Sequence, residues 1–162
     1  MRDSLARGPA RPAGWSNGRH RRPASTAGFL RRCLEVLSDR DPPSYDQVRR
    51  HLIGTPAQYL VGTERFTVQV RGDRVLVRPG TAAATRIDVE TSASDIVHLL
   101  DGTSSMAELV DRDLLRIRAD ADSLLDLSAA VRAFSDAAVG SPPLQQIFES
   151  YRAWVLRHGT GR

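Results

Sequence analysis

The side chains able to do chemistry are few in this sequence, and they are scattered. The four histidines, His20, His51, His98 and His158, lie far apart without an H-x-x-x-H or similar spacing, so no metal site is expected. The single cysteine, Cys33, excludes an intramolecular disulfide and any cysteine-cluster metal site. A nucleophilic thiol needs a partner base, whereas Cys33 lies on an apolar helical stripe, where a buried structural thiol is expected. No glycine-rich phosphate loop and no G-x-S-x-G elbow occurs. His98, between Asp95 and Asp101, is the one candidate general base. Its plain alternative is an exposed or hydrogen-bonded helix histidine. No cofactor is implied.

Function must therefore come from shape, and the elements from Phe66 to Asp120 supply it. Phe66, Val68 and Val70 alternate with Thr67, Gln69 and Arg71, and Val75 with Val77 repeats the period of two after Gly72-Asp73. Glycine at the first position of a two-residue turn suits type II′, which makes Arg71-Gly72-Asp73 a hairpin turn and not an adhesion motif. Pro79-Gly80 turns the chain again, and Arg86 to Glu90 points Ile87 and Val89 inward. The three strands read as an antiparallel meander with one wet face. Ser92 with Asp95 caps a short helix bearing Ile96, Val97, Leu99 and Leu100, stopped at Asp101-Gly102. Ser105 with Glu108 caps a second, Met106 to Val110, before a strand from Leu114 to Arg118 that turns Leu115 and Ile117 inward.

Helices flank this stretch on both sides. Ser25 to Ser38 places Phe29, Leu30, Cys33, Val36 and Leu37 on one stripe. After an Asp41-Pro42-Pro43 break, Ser44 and Gln47 form a capping-box pattern for a helix with Tyr45, Val48, Leu52 and Ile53 inward, ended by Gly54 and Pro56. Downstream, Asp122 to Val139 offers Leu124, Leu125, Leu127, Ala130, Val131 and Phe134 for burial. Ser141-Pro142-Pro143 opens a last helix with Leu144, Ile147, Phe148, Tyr151, Trp154 and Val155 on a broad apolar face. That face closes the domain's own core, closes the mouth of a tunnel, or forms a homodimer seam.

A chain of 162 residues supports one domain with a sizeable core. It is 41% hydrophobic and 26% charged, with mean hydropathy −0.33. All 23 basic residues are arginine, which explains a pI of about 10.1 at a net charge of +4. The missing lysine reads as codon bias. Six of the arginines sit in residues 1–23 with Asp3 as their one acid, so the body is near neutral and lacks the basic face that nucleic acid requires. Residues 1–24 read as a disordered Arg-rich tail, or as a peptide that docks on a protein partner through Trp15 and the Arg19 to Arg22 cluster. No run is apolar enough to span a membrane and no signal peptide is evident, so a soluble cytoplasmic protein is expected.

The order strand, strand, strand, short helix, D-G turn, short helix, strand, helix resembles the bacterial sterol carrier protein type two family. The wording that carries the resemblance is Ile87-Asp88-Val89-Glu90-Thr91, then Ser94 to Gly102 in the place of a "D-x-L-x-L-L-x-G" helix, then Met106 to Val110, then Leu115 to Asp120. It covers about residues 57 to 138. Asp113 and Ala119 stand where the family has glycine, and both can be accommodated if the local φ is negative. The resemblance implies an α+β domain: a mostly antiparallel sheet of four to five strands, covered by helices on one face that enclose an apolar tunnel for fatty acyl, sterol or similar ligands. Members usually lack catalysis of their own, and some are accessory domains of enzymes such as mycothiol-dependent maleylpyruvate isomerases.

The chain then divides into the tail 1–24, N-terminal helices 25–56, a sterol-carrier-like core 57–139 and a covering helix 140–162. The expected lining is Phe66, Val68, Val75, Val77, Ile87, Val89, Ile96, Leu99, Leu100, Met106, Leu109, Leu115, Ile117 and Leu124, joined by Phe148 and Trp154 from the last helix. The same residues describe a solid core equally well. The leading expectation is a carrier of a lipid or other hydrophobic small molecule, with no cofactor and no metal. Two alternatives are a small enzyme or cyclase-like auxiliary of natural-product biosynthesis using the same pocket, and an interaction protein that docks through its tail.

Overall fold

The computed structural model describes residues 25–158; the tail reading, including Trp15, His20 and the Arg19 to Arg22 cluster, lies outside the described residues. Helix α1 (Thr26–Arg40) starts where the Ser25 hydroxyl accepts a hydrogen bond from the Gly28 amide at 3.0 Å. Its stripe of Phe29, Cys33 and Leu37 is buried at helical spacing. Helix α2 (Pro42–Leu52) begins three residues earlier than the Ser44 cap predicts. Asp41 is the N-cap, its carboxylate accepting from the Ser44 amide, and Pro42 and Pro43 occupy the first turn, where a missing N–H costs nothing. Ile53, expected inward, follows the last turn and is 53% exposed.

Five strands form one sheet in the order β3-β2-β1-β4-β5: β1 (Ala57–Val61), β2 (Glu64–Arg71), β3 (Arg74–Pro79), β4 (Ile87–Thr91) and β5 (Arg116–Ala119). The β2–β3 hairpin turns through Gly72 at φ +60°, while Asp73 has no positive φ, as the type II′ reading requires. The expected meander is corrected at β4. This strand does not pair with β3 but crosses over to run parallel to β1, with Tyr59 opposite Val89. The physical reason is β1 itself, an apolar strand whose Ala57 and Val61 are buried and which needs partners on both edges. Three of the four pairings are antiparallel.

Helices α3 (Ala93–Leu100) and α4 (Met106–Asp111) start at the caps read from sequence, Ser92 and a complete Ser105–Glu108 capping box. Asp113, between α4 and β5, departs from expectation. It holds φ +56°, the one non-glycine with positive φ among the described residues, so the glycine of the family pattern marks a left-handed position after all. Ala119 has no positive φ. Helices α5 (Ala121–Val139) and α6 (Pro142–His158) complete the chain.

The helices cover one face of the sheet, and the core beneath them falls into three groups. The first joins α1, α2 and α5 to β1–β3; the second joins α1 to α6; the third lies under α4, β4 and β5. Most outward sheet positions are polar, among them Arg65, Arg78, Asp88, Glu90, Arg116 and Arg118, with Leu60 an apolar exception. Among the described residues no helix is long and apolar enough to cross a membrane.

Candidate functional site

Alternation along β1 and β2 turns Tyr59 and Val68 toward the helices, and the faces of α1, α2 and α5 that meet them do not close completely. The gap is an apolar cavity of about 110 Å³ lined by Leu30, Leu34, Val48, Leu52, Tyr59, Val68, Val75, Leu127, Ala130, Val131 and Phe134. Ten of these side chains are pure hydrocarbon. Half-exposed Val131 marks the side of α5 where the cavity meets solvent. The larger clefts are of another kind: one of about 440 Å³ between α1 and β3 is rimmed by Arg31, Arg32, Glu35, Asp39 and Arg74. A cleft lined by mixed charges at the surface gives an apolar ligand little to exchange for water.

Tyr59 supplies the one polar atom in the cavity wall. Its ring lies over Phe66, the cross-strand neighbour, with centroids 5.1 Å apart and planes nearly parallel. Burial pushes its phenol up to about 12, with no hydrogen bond contributing. Every sealed side-chain polar atom among the described residues has a partner. The Tyr59 hydroxyl, which has none, is therefore accessible, and Tyr59 lines the cavity. The other two tyrosines are paired: Tyr45 accepts from the Val75 amide at 2.9 Å, and Tyr151 shares a 2.9 Å hydrogen bond with Thr26.

Of the lining expected from sequence, Val68 and Val75 border this cavity. Phe66, Val77 and Ile96 belong to the same core group without facing the void. Ile87, Val89, Leu99, Met106, Leu109, Leu115 and Ile117 form the third group, to which the cavity residues Tyr59 and Leu127 also belong. Leu100, Phe148 and Trp154 lie in the second group, where Phe148 packs on Phe29 and Phe134, and Trp154 stacks on Tyr151. Leu124, expected inward, is exposed on α5 together with Leu125. His98 is exposed on α3 with Nδ1 3.0 Å from the Thr103 hydroxyl, outside the cavity. Among the described residues no group of three His, Cys, Asp or Glu side chains is arranged to hold a metal ion.

Sequence reasoning missed the helical wall of the cavity. Leu30, Leu34, Val48, Leu52, Ala130 and Phe134 are ordinary helix-stripe residues, and nothing in a stripe tells which members face a partner side chain and which face a gap. Tyr59 had a signal: it is the lone hydroxyl on the inward side of an otherwise apolar strand.

No family model matches the chain, and no curated protein sequence does. The solution structure of sterol carrier protein domain 2 of Helicoverpa armigera superposes with a TM-score of 0.52, over 67% of this chain and 86% of that domain, at 11% identity. The fold is sterol-carrier-like. A ubiquinone synthesis protein, UbiJ-SCP2, reaches 0.49 over 62% of this chain and 80% of its own at 20% identity. The apo form of sterol carrier protein 2 from Yarrowia lipolytica gives 0.49 over 71% and 90% at 13%. In this sterol-carrier-like domain the cavity lies between the sheet and the helices that cover it.

Proposed function

We propose that this sterol-carrier-like domain binds and carries a hydrophobic small molecule, with lipids the leading class. The observation that carries the reading is the cavity of about 110 Å³ whose eleven lining residues present hydrocarbon at every position but the Tyr59 hydroxyl. Taking an apolar molecule from water into such a space is favourable at about 25 cal/mol per Å² of apolar surface. Binding requires no charged contact, and the wall offers none. A ligand too large for the cavity reaches Ile87, Val89, Leu109 and Leu115 by displacing Leu127, which lines the void and also packs into the third core group. Carriage in a reducing cytoplasm belongs to the same reading, since the sole cysteine is buried and free.

Native mass spectrometry of the purified full chain, with added benzene titrated by protein-observed NMR, tests the proposal. A co-purified hydrophobic mass, or benzene-induced shifts confined to residues around the cavity, supports it. A clean protein mass with no such shifts at millimolar benzene refutes it.

A further inference from the structure

The unpartnered hydroxyl of Tyr59 narrows the ligand class. A hydroxyl in an apolar wall that bonds no protein group is open to a partner brought by a ligand. Tyr45 and Tyr151 hydrogen-bond protein groups, whereas the accessible Tyr59 hydroxyl bonds none. Tyr59 sits at the centre of the sheet on the strand flanked by β2 and β4, its ring stacked on Phe66, in the wall of the cavity. Backbone pairing on both sides and the aromatic stack hold the ring in place.

Resting on the reading of the cavity as a ligand site, we propose that the occupant is a small, uncharged molecule with one hydrogen-bond acceptor, such as a carbonyl or ether oxygen, which receives the Tyr59 hydroxyl proton. Three observations set the limits. A pocket of about 110 Å³ is somewhat smaller than the roughly 150 Å³ cavities that hold one benzene, so the part of the ligand it accommodates is about the size of a single ring. No charged residue lines the space, so a carboxylate or ammonium would be buried without a counter-ion, at a prohibitive cost in desolvation. The phenol is the sole polar group in the wall and serves as a donor, so the ligand's polarity is one acceptor placed at one end, with hydrocarbon elsewhere. A free fatty acid seated head-first is excluded on the second ground, and a saturated hydrocarbon gains nothing from the hydroxyl.

Cyclopentanone and methylenecyclopentane share a shape and six heavy atoms, and differ by the acceptor. Their titration into the full chain and into Tyr59→Phe, followed by NMR shifts of cavity residues, isolates the hydrogen bond. Tyr59→Phe keeps the ring and its stack on Phe66. The expected result is that it weakens cyclopentanone about tenfold and leaves methylenecyclopentane unchanged, while the variant unfolds at or above the wild-type temperature. Equal effects on both ligands, or none on the ketone, overturn the inference while leaving a hydrophobic site standing. A lower unfolding temperature for Tyr59→Phe also overturns it, because the hydroxyl would then have a structural partner. If neither compound shifts cavity resonances in either protein, this inference and the carrier reading fall together.

Discussion

Asp113 occupies left-handed backbone at φ +56° with its carboxylate on the Arg116 guanidinium at 2.6 and 2.7 Å. Both groups are exposed, so the ion pair adds little, and the backbone conformation dominates the energetics. Asp113→Gly and Asp113→Ala both remove the pair, but alanine keeps a Cβ that left-handed backbone tolerates poorly. The glycine variant should be the more stable of the two by about 1 kcal/mol in urea unfolding. Equal stabilities would mean that the turn relaxes. The family pattern flagged this position in the sequence, yet sequence could not supply the sign of φ. Two tyrosines give a second residue-level expectation. Burial pushes the phenols of Tyr59 and Tyr151 up to about 12, against about 10 in an unfolded chain. Between those values the unfolded chain releases protons that the folded one keeps, so stability is complete below pH 10 and falls as the pH rises toward 12, by about 2 to 3 kcal/mol per tyrosine. Burial also pushes the Cys33 thiol up, which works in the same direction. Denaturant midpoints from pH 8 to 12 measure the slope, and a flat profile contradicts it.

Among elements, the ends read locally were found where expected, and those set by distant residues were not. Ser92 and Ser105 cap their helices through contacts three residues away, within reach of any sequence pattern. The start of α1 is held from 37 and 38 residues away instead: the Glu64 carboxylate at the head of β2 accepts from the amides of Thr26 at 2.7 Å and Ala27 at 3.0 Å. Thr26 in turn bonds Tyr151 of α6, so one carboxylate ties β2, α1 and α6 together. It also satisfies two otherwise free amides at the positive end of the helix dipole. Glu64→Ala should cost about 1 to 3 kcal/mol, a fall of several degrees in unfolding temperature, with Glu64→Gln intermediate. A loss below 0.5 kcal/mol would show that water replaces the carboxylate. The parallel β1–β4 pairing was illegible for the same reason as Glu64: it joins strands about 30 residues apart, and periodicity reports the face of a strand but never its neighbour.

For the whole molecule, the layered architecture was visible in the order and period of the elements, whereas the cavity was not, because a void is a property of fit between layers. A gap that opens to solvent beside α5 leaves the apolar side chains around it incompletely packed. Ala130 is the place to test this, being a buried methyl on α5 in the cavity wall opposite the sheet. Ala130→Leu sends three more carbons into the gap. If the space is empty in the free protein, the added contacts outweigh residual crowding, and the variant should gain about 1 kcal/mol, or about 2 to 4 °C in unfolding temperature. The same carbons occupy the ligand's volume, so benzene-induced shifts at the cavity should disappear. Stability and binding then move in opposite directions, which sets a functional void apart from a packing defect. A variant that is stabilised while the natural co-purified molecule remains bound would place that molecule elsewhere on the protein. One destabilised by more than 1 kcal/mol would mean that α5 already closes on the sheet.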